Sequence, residues 1–216
     1  MSPGKNPGKN PGMSHGMGPT RRPRFRAVVL GVSMGGVDAL QRVLPALPVD
    51  FPLPLLVVIH ISPGSGDSLA RLLDFTAPLR VKEADEGELP QPGTAYLAPA
   101  GYHLLVERDG RLALSADAPV SFARPSVDVL FESASACYGA ALVGAVLTGA
   151  GADGAAGLAR IAAAGGYTIV QEPADAVMDL MPRAALARLA PGTPNAIATL
   201  DRLPLLLQRL AGMEAA

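Results

Sequence analysis

The strongest constraint on this chain is a short apolar run, Ala27-Val28-Val29-Leu30, that passes directly into a glycine-rich turn, Gly31-Val32-Ser33-Met34-Gly35-Gly36. Consecutive apolar residues without polar alternation suit a strand buried on both faces. After the turn, Val37, Leu40 and Leu44 recur at helical spacing, which predicts a helix over 37–44 ended by Pro45 and Pro48. The pattern then repeats. A second buried strand is expected over 54–59, closed by His60-Ile61-Ser62-Pro63-Gly64, with a short helix over 68–75. A third is expected over 141–147, followed by the turn Thr148-Gly149-Ala150-Gly151-Ala152-Asp153-Gly154. An Ala-rich helix over 155–164 stops at Gly165-Gly166. A strand over 167–170 and helices over 182–190 and 200–211 complete the series. Strands alternating with helices imply an α/β fold: a doubly wound three-layer sandwich around a mostly parallel sheet.

The middle of the chain reads differently. Short strands are expected around Val81 and over 94–98, 103–107 and 111–115, separated by Gly, Pro and Asp. Arg108-Asp109-Gly110 reads as a hairpin loop, so antiparallel pairing is expected in this region. Ser126 is placed to cap a helix running through Tyr138, with Val127, Leu130, Phe131 and Ala134 on one face.

The start of the chain repeats Pro-Gly-Lys-Asn and carries almost no apolar surface. Residues 1–24 are therefore expected to form a disordered tail, His15 included, with one domain over 25–216. Residues 1–26 hold six of the 18 Lys and Arg and no acid, leaving 12 basic against 19 acidic residues, a net −7, in the rest. That balance argues against a nucleic-acid-binding core. The basic tail reads as solvated, with contact to an acidic surface as its alternative. The single cysteine, Cys137, excludes an internal disulfide framework and reads as a buried structural thiol. No apolar run reaches the ~18 residues of a membrane span, and the N-terminus has no apolar signal core. A cytoplasmic protein without membrane insertion is expected.

Three polar residues fall at strand ends: Ser33 after the first strand, His60 after the second, Asp153 after the strand at 141–147. In open parallel sheets, the loops at the carboxyl ends of strands line the ligand crevice. Ser, His and Asp are the set that acyl transfer needs. A hydroxyl is a weak nucleophile, imidazole can take its proton, and a carboxylate fixes the imidazole tautomer. Gly31-x-Ser33-x-Gly35 also fits the nucleophile elbow between strand and helix. The order Ser, His, Asp is not that of ordinary α/β-hydrolases, which run Ser, acid, His. Other readings stand beside this one: His60 as a structural histidine, Asp153 as a helix N-cap, the glycine turn as a dinucleotide site. The last lacks G-x-G-x-x-G. With three histidines and no ligand-spaced pair, no metal or other cofactor is expected.

From Phe25 to Leu210 the chain resembles the catalytic domain of chemotaxis protein-glutamate methylesterases of the CheB type. The resemblance rests on residues 31–36, Val58-Ile59-His60-Ile61-Ser62-Pro63-Gly64, Ala95-Tyr96-Leu97-Ala98-Pro99, Arg124-Pro125-Ser126-Val127-Asp128, residues 147–154, and Met181-Pro182-Arg183. It implies Ser33, His60 and Asp153 as catalytic residues. It also implies hydrolysis of glutamyl methyl esters on methyl-accepting chemoreceptors, with deamidation of receptor glutamines in many members. Met34 replaces the usual Thr, Ala150 a common Met, and about 25 leading residues cannot hold the family's receiver domain. These departures motivate one alternative, a non-catalytic receptor-docking module; an esterase that has changed to small-molecule substrates is a third reading. His103 and Arg124 also fall in family positions. His103 reads as structural; Arg124 would orient a substrate carboxylate or tie down a loop.

Overall fold

The computed structural model describes Met1 and residues 24–60, 66–190 and 192–213. The expected tail, His15 and the 61–64 segment lie outside these residues, apart from Met1 and Arg24. Strands β1 (Ala27–Val32), β2 (Leu55–Ile59), β3 (Arg80–Glu83), β4 (Thr94–Leu97), β7 (Leu142–Val146), β8 (Tyr167–Gln171) and β9 (Ala196–Ala198) form one sheet in the order β3-β4-β2-β1-β7-β8-β9. Every pairing in it is parallel. Strands β5 (His103–Val106) and β6 (Leu112–Ser115) pair antiparallel and apart from it, Val106 facing Leu112 across the Arg108-Asp109-Gly110 turn.

Helices cover both faces, and the strands alternate between two cores. Val28, Leu30 and Val32 of β1, with Leu55, Val57 and Ile59 of β2, face one core. That core also takes in Leu40 and Val43 of α1 (Gly36–Val43), Leu73 of α2 (Gly66–Thr76), and Leu203 and Leu207 of α6 (Leu203–Leu210). Ala27 and Val29, with Leu56 and Val58, face the other. There they meet α3 (Val127–Tyr138), α4 (Ala155–Ala163), α5 (Leu180–Arg188) and the β5–β6 hairpin. The continuous apolar runs thus follow from burial on both faces, and the three-layer expectation holds.

Three details differ from the sequence expectation. Only β5–β6 in the middle region is antiparallel; β4 inserts between β3 and β2 and both join the parallel sheet. Strand β9, three residues long, leaves too short a pattern to read. The first helix ends at Val43, and Pro45 sits inside the following 3-10 turn over Leu44–Ala46 rather than terminating it. Among the described residues no helix is long and apolar enough to cross a membrane. Cys137 is half-buried rather than buried. Burial pushes its thiol above the ordinary value despite nearby Arg26, so it is no activated thiolate.

Candidate active site

The carboxyl ends of β1, β2 and β7 lie side by side, and each continues into one of the three polar residues singled out above. Ser33 follows β1 at the start of a tight turn. Its amide donates to the Thr148 carbonyl (2.9 Å) and its carbonyl accepts from Gly36 (2.8 Å). Gly35 takes a left-handed φ of 78°, which lets the chain turn from strand into helix within the three residues 33–35. Gly149 lets the β7 loop approach: a Cβ there would fall 2.7 Å from that of Ser33 and overlap the Met181 sulfur. The Thr148 hydroxyl stitches the turn to the loop before α5, donating to Met34 O (2.9 Å) and accepting from the Met178 amide (2.9 Å).

His60 leaves β2 with its amide bound to Val32 O (3.2 Å), which sets the ring beside the turn. Its Nδ1 lies 3.2 Å from the Ser33 hydroxyl and its Nε2 2.8 Å from Asp153 Oδ2. A carboxylate only accepts, so the ring proton sits on Nε2 and the Nδ1 lone pair faces the serine. In the familiar serine-protease triad the ring is turned the other way, with Nε2 toward the serine. The chemistry is the same either way, because one nitrogen is held by the acid and the other is free to accept a proton.

Asp153 is almost fully buried and receives four donors. Beyond His60 these are the Ser126 hydroxyl (2.8 Å), the Val127 amide (2.7 Å) and the Asp128 amide (3.0 Å). Burial by itself opposes its charge. The bonds from His60, the two amides and Ser126 together outweigh burial and hold its pKa below the ordinary carboxylate value. The amides belong to the first turn of α3, whose N-terminus favours a negative charge. The N-cap reading of Asp153 is therefore right in kind but names the wrong helix: Asp153 caps α3, while α4 starts from Gly154 without a side-chain cap. The expected Ser126 cap is corrected in the same way. Ser126 occupies the N-cap position, but its hydroxyl goes to Asp153 instead of its own helix.

The capping is reciprocal. Asp128, in the first turn of α3, accepts the Gly157 amide of α4 (2.7 Å). Burial raises the Asp128 pKa; the Gly157 amide opposes the rise and the nearby Asp153 charge adds to it. A further layer supports Ser126. His103 is buried, accepts the Ser126 amide at Nδ1 (3.1 Å) and donates from Nε2 to Ala118 O (3.2 Å). The structural reading of His103 holds, now with a role: it anchors the segment that holds Asp153. Arg124 ties down a loop, donating to Ala116 O (2.7 Å) and Asp117 O (3.0 Å).

An open cleft of about 440 Å³ lies over His60 and Asp153, walled by Arg124, Pro125, Ala150 and Gly151. Met34, beside the serine, is 54% exposed. The Ser33 amide is already committed to Thr148. Among the described residues the Met34 and Gly35 amides beside Ser33, like the Ala150 and Gly151 amides in the cleft wall, make no backbone hydrogen bond. Ser126 and Thr148 were not singled out from the sequence as site residues. Their only signal was membership of the 124–128 and 147–154 blocks.

The family model for CheB methylesterase matches residues 28–204. The chain belongs to the CheB methylesterase family. A Leptospira interrogans protein provisionally named protein-glutamate methylesterase/protein-glutamine glutaminase is 44% identical over 162 residues, 75% of this chain and 84% of that protein. The Anaeromyxobacter dehalogenans protein-glutamate methylesterase/protein-glutamine glutaminase 3 is 46% identical over 195 residues, 88% of this chain and 56% of that protein. This chain therefore spans about half the length of such longer relatives. The crystal structure of the Thermotoga maritima CheB methylesterase catalytic domain superposes with a TM-score of 0.81 at 33% identity, covering 86% of this chain and 98% of that one.

Proposed function

We propose that this chain is a protein-glutamate methylesterase that hydrolyses glutamyl methyl esters on chemoreceptor proteins, with Ser33 as nucleophile, His60 as general base and acid, and Asp153 as the group that orients and supports His60. The observation that carries this reading is the unbroken hydrogen-bond chain from the Ser33 hydroxyl through both nitrogens of His60 to a carboxylate held charged by four donors.

In the first half-reaction Ser33 Oγ attacks the ester carbonyl while His60 Nδ1 takes the hydroxyl proton. Asp153 stabilises the resulting imidazolium through Nε2–H. The Met34 and Gly35 amides, which lie beside Ser33 and make no backbone hydrogen bond, are the donors assigned to the oxyanion. The intermediate collapses, His60 returns the proton to the leaving oxygen, and methanol departs from a glutamyl-Ser33 ester. Water, deprotonated by the same imidazole, then attacks that ester and frees Ser33 and a glutamate carboxylate. A glutamine side chain fits the same scheme with ammonia as the leaving group, the reaction behind the second half of the relatives' names.

The test is release of methanol from chemoreceptors labelled in their glutamyl methyl groups. Ser33→Ala is expected to lower kcat by about a millionfold, to background. Methanol release by the unaltered chain no faster than by Ser33→Ala would leave the binding-only module as the better reading.

A further inference from the structure

The loop that overhangs the cleft is built against its own backbone preferences. Val120 and Ala123 exchange both backbone hydrogen bonds (3.1 and 2.9 Å), which leaves Ser121 and Phe122 as a two-residue turn. Both have positive φ, 51° and 63°, and they are the only non-glycine residues with positive φ among the described residues. A two-residue turn with both central residues left-handed favours Asn-Gly, and a bulky aromatic is among the costliest choices for it. The fold does not repay that cost, because the Phe122 side chain is fully exposed and adds nothing to either core. The turn is nonetheless held in place, since Arg124 binds the carbonyls of Ala116 and Asp117 just before it. Phe122 also borders the cleft that contains His60 and Asp153. A strained residue that the fold does not use, fixed at the mouth of a site, points to what the site binds.

We propose that Phe122 is a specificity-determining residue whose ring packs against an apolar side chain flanking the esterified glutamate of a protein substrate. This rests on the protein-glutamate methylesterase reading. A small free ester has nothing to place against a ring standing in solvent. A protein segment lying across the cleft mouth does, and burying the ring against it gives protein-borne esters an advantage over small ones.

The test compares the unaltered chain with Phe122→Gly and Phe122→Trp. Gly is the residue this turn prefers, so its variant is expected to melt at the same or a higher temperature, which separates the effect from misfolding. kcat and KM are measured on a chemoreceptor preparation carrying labelled glutamyl methyl esters and on p-nitrophenyl acetate. For Phe122→Gly, KM on the receptor rises about tenfold with kcat within about twofold, and kcat/KM on receptor relative to p-nitrophenyl acetate falls about tenfold. Phe122→Trp keeps that ratio within about threefold. An unchanged ratio in Phe122→Gly, with the unaltered chain active on receptor, overturns the role of Phe122 and leaves the esterase reading intact. Equal losses on both substrates overturn it too, since the ring would then serve the catalytic groups. An unaltered chain that cleaves p-nitrophenyl acetate but no receptor ester overturns the underlying reading.

Discussion

Ser33 and Asp153 follow neighbouring strands of one sheet, yet they are held in opposite ways. The Ser33 hydroxyl hydrogen-bonds only to His60 among the described residues, and its position comes from backbone bonds on either side of it. Asp153 is locked by its side chain, which caps α3 and accepts Ser126 and His60 together. The comparison teaches that the proposed nucleophile is a passenger on the fold and the proposed acid is part of its structure. Under the proposed mechanism a change at Ser33 costs chemistry alone. Under the same mechanism a change at Asp153 costs chemistry and stability at once.

The sharpest contrast is therefore between Ser33→Ala and Asp153→Ala. The first loses about a millionfold in kcat with a melting temperature within about 1 °C of the unaltered chain. The second loses about ten-thousandfold in kcat, and it strands the Ser126 hydroxyl and two helix amides. It is expected to cost about 2–4 kcal/mol, a drop of roughly 5–15 °C. Thermal melts of the two purified variants check this, and equal melting temperatures would break the comparison.

A smaller effect is expected at Ser126→Ala. Asp153 keeps its amide donors and His60 but loses one of the bonds that hold its charge. kcat falls about tenfold with KM nearly unchanged, and stability falls by about 1–2 kcal/mol. Steady-state kinetics and a urea titration separate the two, and a change confined to KM would mean that Ser126 contacts substrate instead.

The smallest effect is in pH. The folded Asp153 pKa lies below its free value of 3.8. Its contribution to stability is thus complete above that value and drains away as pH falls through the lower folded one. Asp128 works in the opposite sense. Its raised pKa means that its charge costs the fold at neutral pH, and this cost is relieved on acidification. Urea midpoints between pH 5 and pH 3 are expected to fall less steeply for Asp153→Asn than for the unaltered chain. A steeper fall in the variant would place the acid sensitivity elsewhere.

Much of the fold was legible because its signals are local. The runs at β1, β2 and β7, the Gly35 turn and the Arg108-Asp109-Gly110 hairpin each announce themselves within a few residues. The 3.6-residue spacing of Val127, Leu130, Phe131 and Ala134 did the same for α3. What stayed hidden depends on partners far along the chain. Nothing near β4 says that it will slide between β3 and β2. Nothing near Ser126 says that its hydroxyl will leave its own helix for an aspartate 27 residues away.

By itself the sequence determined that strands would alternate with helices and that Ser33, His60 and Asp153 would sit at strand ends, since buried apolar runs and glycine turns act through their immediate neighbours. Only the tertiary structure decided which nitrogen of His60 faces which partner, which helix Asp153 caps and that Phe122 is held out at the cleft mouth. Those outcomes turn on hydrogen bonds and burial between segments that meet only when the sheet has closed.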